Sequence, residues 1–220
     1  MKVFIFDLDG TLLNTLGDLA NAANHILEEN GFPTHHQEKY RQMVGNGFEM
    51  LIRRAIAPAE VSDQKIAELV QSAKNWYANH LTDETMPYPG MTVTLNMLLN
   101  AGAILGIFSN KPDAFVKKLA NYFFPGVSFT FALGAQENLP LKPNPLVLLN
   151  AIKPLGFDKD AICYIGDSNV DILTAQNAGI FSVGAAWGFR GAQELKDAGA
   201  NIIINEPVDL LPLINFIPGE

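Results

Sequence analysis

Val3-Phe4-Ile5-Phe6-Asp7-Leu8-Asp9-Gly10-Thr11 joins a short, wholly apolar run to two carboxylates and a glycine. Such a run is too short for a helix and shows no polar alternation. It suits a strand covered on both faces of its sheet. Comparable runs recur at 103–108, 161–165, 180–183 and 202–204, with a weaker one at 129–131. Helix-length segments separate them. Pro112 opens one carrying Phe115, Val116 and Leu119 on a face, and Pro145 opens another carrying Leu148, Leu149 and Ile152. A third, at 171–177, stops at Gly179 just before the next apolar run. The alternation predicts an α/β fold, doubly wound about a mostly parallel sheet.

One region breaks the pattern. Between Thr15 and Thr85 the apolar residues fall at helical spacing: Leu19, Ala22, Ala23 and Ile26, then Leu51, Ile52, Ala55 and Ile56, then Ile66, Leu69, Val70 and Ala73. Trp76 and Tyr77 continue the third helix and read as packing residues, not as a ligand box. The spacing predicts an all-helical cap domain over 15–85, set on a core domain made of 1–14 and 86–220. An insertion directly after the first strand lies over the carboxyl ends of the strands, where open α/β sheets bind ligands. A small helical lid there excludes water from chemistry beneath it.

Composition narrows the function. The chain has 220 residues, 48% hydrophobic and 17% charged, which describes a folded protein with a substantial core. A formal net charge of −8, with no long Lys/Arg cluster, disfavours a nucleic-acid partner. The single cysteine, Cys163, lies in an apolar run and reads as a buried strand residue in a reducing compartment. Charge follows the first apolar run at once, and no apolar stretch reaches the roughly 18 residues of a membrane span, so no membrane partner and a cytoplasmic location are expected. His25, His35, His36 and His80 have no metal-ligand spacing with Cys163, and His35-His36 reads as a solvated loop pair.

Four short segments could carry chemistry. Asp7 and Asp9, two residues apart at a strand end, are costly together unless something positive holds them; Mg²⁺ favours such oxygen ligands beside water and phosphate. Gly166-Asp167-Ser168-Asn169-Val170-Asp171 places a second acidic pair after another strand, with Asp167 in the loop and Asp171 in the first helical turn. Either pair alone has a bland explanation as a cap, but two such strand ends point to one cation. Ser109-Asn110-Lys111 follows the apolar run 103–108, before Pro112, with a hydroxyl, an amide and backbone N–H groups suited to phosphate. Lys142, in Leu141-Lys142-Pro143-Asn144-Pro145, is a cation on a stiffened segment. Thr11 offers a hydroxyl and an amide to an anion.

Taken in order, these segments resemble the four motifs of the haloacid dehalogenase-like superfamily of hydrolases, over nearly the whole chain. Asp7-Leu8-Asp9-Gly10-Thr11 is similar to the first, Ser109 to the second, Lys142 to the third, and Gly166-Asp167-Ser168 with Asp171 to the fourth. Within the superfamily the chain is most similar to the phosphoglycolate phosphatases. That likeness rests on Asp18-Leu19 with Ala22, Asn24 and Leu27, on Val44-Gly45-Asn46-Gly47 followed by Arg54, on Ser109-Asn110-Lys111, and on Ala185, Trp187 and Gly188. Asn14-Thr15 departs from the family's acidic residue before Ser or Thr, at the cap hinge and away from the catalytic groups.

The resemblance implies Mg²⁺-dependent hydrolysis of a small phosphorylated metabolite, with 2-phosphoglycolate the leading substrate. Asp7 would be the covalent nucleophile, Asp9 the acid and base, and Ser109 and Lys142 the catalytic holders of phosphate. Asp7, the Asp9 backbone carbonyl, Asp167 and Asp171 would hold the metal. Thr11 and Asn110 are further phosphate-binding candidates. In the cap, Asn46, Gly47 and Arg54 are candidates for the substrate, with Arg53 an alternative arginine. A broad small sugar- or nucleotide-phosphate phosphatase and a β-phosphoglucomutase-like phosphotransferase are the rival readings, although Gly17 to Ala20 lack the histidine of the latter. A dehalogenase is disfavoured by Asp9 and Asp167, and a non-enzymatic receiver module has no use for a lid. Monomer and homodimer both stay open.

Overall fold

A computed structural model describes residues 1–216 of the chain. The strands in chain order are β1 (Val3–Phe6), β2 (Leu13–Asn14), β3 (Met86–Pro87), β4 (Ile104–Pro112), β5 (Phe129–Ala135), β6 (Ile162–Gly166), β7 (Phe181–Ala185) and β8 (Ile202–Ile204). The α-helices are α1 (Leu16–Glu29), α2 (Gly47–Ile56), α3 (Asp63–Tyr77), α4 (Met91–Asn100), α5 (Asp113–Phe123), α6 (Leu146–Ile152), α7 (Asn169–Ala178) and α8 (Gly191–Asp197).

Six strands form one sheet in the order β5-β4-β1-β6-β7-β8, with every pairing parallel. β1 is central, and its apolar run explains why. Phe4 and Phe6 belong to one hydrophobic cluster, whereas Val3 and Ile5 belong to a second one across the sheet. Each face of β1 is therefore dry, as a continuous apolar strand requires. Phe6 stands in register with Ile107 of β4 and with Ile165 of β6. The residues that follow β1 and β6 consequently emerge side by side at the carboxyl edge.

The α/β fold class, the parallel sheet and the helical cap are as expected from the sequence. Boundaries differ where tertiary pairing extends a run. The strand expected at 103–108 continues through Ser109, Asn110 and Lys111 to Pro112. Its ladder with β5 slips there: Phe108 pairs with Leu133 but Pro112 with Ala135. The slip is a bulge that lifts Ser109, Asn110 and Lys111 out of the regular ladder toward the carboxyl edge. The weak run at 129–131 becomes a longer edge strand, held by that neighbour.

The cap comprises α1, a 3-10 segment Gln37–Gln42, α2 and α3. Its chain crossings pair with each other as a two-stranded antiparallel ribbon, Leu13 with Pro87 and Asn14 with Met86. Asp18, buried in the first turn of α1, secures the exit. Its Oδ1 accepts from the Glu84 N–H at 2.8 Å, and its Oδ2 accepts from the Thr85 N–H at 2.9 Å and the Thr85 hydroxyl at 2.7 Å. Trp76 stacks on His80 at 3.8 Å between centroids and on His25 at 5.2 Å, so it is a packing residue as expected. His35 is not a solvated loop residue: its Nε2 lies 2.6 Å from the Ala55 carbonyl and its backbone N–H donates to Asn24 Oδ1 at 2.9 Å. Among the described residues no helix is long and apolar enough to cross a membrane.

Candidate active site

β1 and β6 end on adjacent tracks, so Asp7 and Asp167 meet where the two strands open. The Asp7 N–H donates to the Ile165 carbonyl at 2.9 Å, which fixes the first of them to the second strand. α7 then returns Asp171 to the same point. Ligand oxygens from Asp7, Asp167 and Asp171 all lie within 4.8 Å of one another, and all three residues are buried.

Lys142 is the cation among them. Its Nζ is 2.9 Å from Asp7 Oδ1 and 2.6 Å from Asp171 Oδ1, and it also donates to the Tyr164 hydroxyl at 3.0 Å. The approach to Asp7 is an ion pair without hydrogen-bond alignment, and Asp7 Oδ1 is a buried oxygen with no hydrogen-bond donor. Asn110 sets the height of Lys142. Its Oδ1 accepts from the Lys142 N–H at 2.8 Å and its Nδ2 donates to the Lys142 carbonyl at 3.2 Å. The same Nδ2 donates to the Gly45 carbonyl of the cap at 3.2 Å. Asn110 thus lines the site but spends its amide on two stretches of backbone.

The charge balance is acidic. Burial raises the Asp7 carboxyl from its ordinary 3.8 to about 6, against the pull of Lys142 and with help from Asp171 and Asp9. Burial, followed by the nearby Asp171 and Asp7, holds Asp167 well above the usual carboxylate range; the Phe189 N–H, donating to Asp167 Oδ2 at 2.7 Å, opposes this only in part. Burial acts to lower Lys142, yet Asp171 and Asp7 keep it well above its ordinary value. One lysine does not neutralise three carboxylates in a dry site. The all-oxygen donor set, a bare Asp7 oxygen and the elevated carboxyls fit a hard divalent cation.

Asp171 is the least available of the three. Its Oδ2 accepts from the Ser168 N–H at 3.0 Å and from the Ser168 hydroxyl at 2.7 Å, while Oδ1 takes Lys142. Close glycines make room for Asp167: a Cβ on Gly188 would lie 2.1 Å from Asp167 Cβ, and one on Gly10 would lie 2.2 Å from Asp167 Oδ2.

Asp9 sits at the mouth, two residues beyond Asp7. Its Oδ1 accepts from the Thr15 hydroxyl at 2.8 Å and from Lys111 Nζ at 2.9 Å. Among the described residues Oδ2 has no hydrogen-bond donor, and Asp9 lines the cavity. The hinge is therefore in contact with a catalytic candidate through Thr15. Asn14 itself stays away as expected, accepting only the Leu16 N–H at 3.3 Å.

A cavity of about 30 Å³, partly open to solvent, lies between core and cap. Asp7, Asp9, Ser109, Asn110 and Lys111 form its floor, and Leu19, Val44, Gly45, Gly47, Phe48 and Leu51 form its roof. Gly47 thus reaches the site, whereas Asn46 and Arg54 do not. Phe48 and Leu51 take the cavity side of α2; Arg54, near its end, turns back to donate to the Met43 carbonyl and to Asn46 Oδ1, each at 2.8 Å. Arg53 faces outward, paired with Glu49 at 2.9 Å and Asp63 at 2.7 Å. Thr11 is buried beneath the loop, its hydroxyl without a partner and its carbonyl accepting from Trp187 Nε1 at 3.0 Å. Lys111, Tyr164 and Thr15 were not expected at the site, and Tyr77 was read as a packing residue alone. Lys111 alone had a usable signal, its place beside Ser109 and Asn110 at a strand end.

The haloacid dehalogenase-like hydrolase family model matches residues 4–185, which span both the acidic strand ends and the whole cap. The chain belongs to that family. It is a hydrolase, and its relatives place it among the family's phosphatases. A phosphoglycolate phosphatase of Mannheimia succiniciproducens is 33% identical over 97% of this chain and 98% of its own length. Phosphoglycolate phosphatase 1 of Pseudomonas aeruginosa is 31% identical over 96% of this chain and 79% of its own. Among solved structures, a protein of Lactobacillus delbrueckii subsp. bulgaricus, named only provisionally as a phosphoglycolate phosphatase, superposes with a TM-score of 0.90 at 32% identity, covering 97% of this chain and 99% of that one. A family phosphatase with this buried acidic cluster acts on a small phosphorylated metabolite.

Proposed function

We propose that this chain is a Mg²⁺-dependent phosphomonoester hydrolase, with 2-phosphoglycolate the leading substrate, working through an aspartyl-phosphate on Asp7. The observation that carries the reading is the bare, buried Asp7 Oδ1 beside Lys142, with the Asp9 carboxylate at the mouth of the same cavity. Residues 1–14 and 86–220 act as the catalytic core domain and 15–85 as the cap domain.

In the first half-reaction an Asp7 oxygen forms a bond to phosphorus as the ester oxygen leaves, and Asp9 gives that alkoxide its proton. In the second, Asp9 takes a proton from water, the water oxygen bonds to phosphorus, and the Asp7 carboxylate is released. Lys142 and the Ser109 hydroxyl hold phosphoryl oxygens, with the unpartnered Thr11 hydroxyl a secondary candidate for them. Mg²⁺, held by Asp7, the Asp9 backbone carbonyl and Asp167 with Asp171 in support, would supply neutralising charge between the nucleophile and those oxygens.

A cavity of about 30 Å³ is narrow, which supports a compact leaving group beneath the cap. Relatives named phosphoglycolate phosphatase support the glycolyl ester. One observation favours a broader phosphatase of small esters: the roof residues Leu19, Val44, Phe48 and Leu51 carry no charge with which to select one. Comparing kcat/KM over a panel of small phosphorylated metabolites, with and without Mg²⁺, tests both. A clear lead for 2-phosphoglycolate upholds the first reading, equal weak rates uphold the second, and no Mg²⁺-dependent phosphate release on any ester defeats the function itself.

A further inference from the structure

Tyr77 ends the last cap helix, yet it is buried against the core. Its ring packs between Phe48 of the cap, 5.4 Å away, and Phe115 of the core, 5.5 Å away in a T-shaped contact. Its hydroxyl accepts from Lys111 Nζ at 2.7 Å, and that nitrogen also stands 4.6 Å over the ring. Lys111 in turn donates to Asp9 Oδ1 at 2.9 Å. The lysine side chain is 1% exposed, so water does not compete for these bonds. Packing alone would explain the ring of Tyr77, but a phenylalanine would meet that need. The hydroxyl has one evident partner, and that partner touches the group at the mouth of the site.

We infer that Tyr77 and Lys111 are positioning residues that hold Asp9 in its working orientation only while the cap is closed. The inference rests on the acid and base roles proposed above for Asp9. With the cap down, Tyr77 fixes Lys111, Lys111 and Thr15 together fix Asp9 Oδ1, and Oδ2 is left without a donor among the described residues, on a residue that lines the cavity. When the cap lifts, Tyr77 leaves with α3, and Lys111 loses both a hydrogen-bond partner and the aromatic face above it. Asp9 then swings on one fewer restraint. Proton transfer is thereby tied to the state of the lid, so an ester seated under an open cap would not be cleaved and the aspartyl-phosphate would not meet an activated water prematurely.

The test uses leaving-group dependence, because departure of a good leaving group needs little help from an acid. kcat/KM reports the first half-reaction and is measured for 2-phosphoglycolate, or the best alkyl ester of the panel, and for 4-nitrophenyl phosphate. Tyr77→Phe should lower kcat/KM on the alkyl ester about tenfold and on the nitrophenyl ester less than about twofold. In an Asp9→Asn background the same substitution should add no further loss on the alkyl ester. Equal losses on both esters, or a full additional loss in the Asp9→Asn background, would overturn the inference by marking Tyr77 as structural. Lys111→Met should show the same selective loss; should that variant not fold, Tyr77→Phe, which keeps the ring, decides alone. Asp9→Asn by itself separates the two levels. Selective loss there with none in Tyr77→Phe defeats this inference only, whereas no selectivity in Asp9→Asn defeats the acid role and this inference with it.

Discussion

Lys142 and Asp171 form an ion pair sealed from solvent, 2.6 Å from Nζ to Oδ1, with side chains 1% and 0% exposed. A pair this deep is costly to break, because removing one partner strands the other charge. Lys142→Met should therefore lower unfolding free energy by about 3–5 kcal/mol at neutral pH, measured by urea denaturation, as well as abolishing turnover. Adding Asp171→Leu to it should recover part of the stability and none of the activity. A single variant as stable as the parent would show that the pair does not hold the site together.

Asp7→Asn should lower turnover by more than about 1000-fold while leaving the fold intact. Without metal it should also change the pH response. The Asp7 carboxyl is raised from 3.8 to about 6, so its contribution to stability is present below the lower value and lost as pH rises through the upper one. In EDTA the parent's Tm should fall across that window, and the Asn variant should fall less. Added Mg²⁺ should restore the parent above pH 6 far more than the variant. Parallel Tm profiles in EDTA would count against a strained, metal-seeking Asp7.

Thr15→Val removes one of the two donors to Asp9 Oδ1 and keeps the shape of the side chain. Losing one such hydrogen bond at the reacting group should reduce kcat about two- to tenfold, with KM little changed. Thr15→Ser, which restores the hydroxyl, should recover the rate. Steady-state kinetics on one good substrate suffices, and a Val variant with unaltered kcat would remove Thr15 from the catalytic machinery.

Gly188→Ala adds a Cβ 2.1 Å from Asp167 Cβ and 2.5 Å from the Gly10 carbonyl. Both neighbours are parts of the site's frame, so the clash should displace Asp167. Calorimetric titration with Mg²⁺ should show affinity weakened about 10- to 100-fold. Unchanged affinity would mean that Asp167 is not a ligand.

Much of this was legible before any coordinates. The run Val3–Phe6 announced a strand buried on both faces, and its two faces do lie in separate clusters. Asp7 and Asp167 could be joined on paper because each follows such a run. Other features depend on contacts that periodicity does not encode. Helical spacing showed that Tyr77 faces inward but not that a core lysine waits there, 34 positions away in the chain. Arg54 occupies the right helix to reach a substrate, yet its guanidinium is drawn to the free Met43 carbonyl and the Asn46 side chain nearby. For Asp171 the cap explanation and the site both hold: Ser168-Asn169-Val170-Asp171 is a helix-capping box that takes Oδ2, while Oδ1 is left to Lys142.

The β2–β3 ribbon has a consequence for how this protein could be altered. The chain leaves the core at Asn14 and re-enters at Met86, residues that pair directly. Whatever helices hang between those two points, the ends they must present are already adjacent and already hydrogen-bonded. A foreign lid of different size could be grafted there without lengthening any connection in the sheet. A graft that kept Thr15 and a hydroxyl in the place of Tyr77 would keep the contacts that reach Asp9, while the roof over the cavity became an exchangeable part.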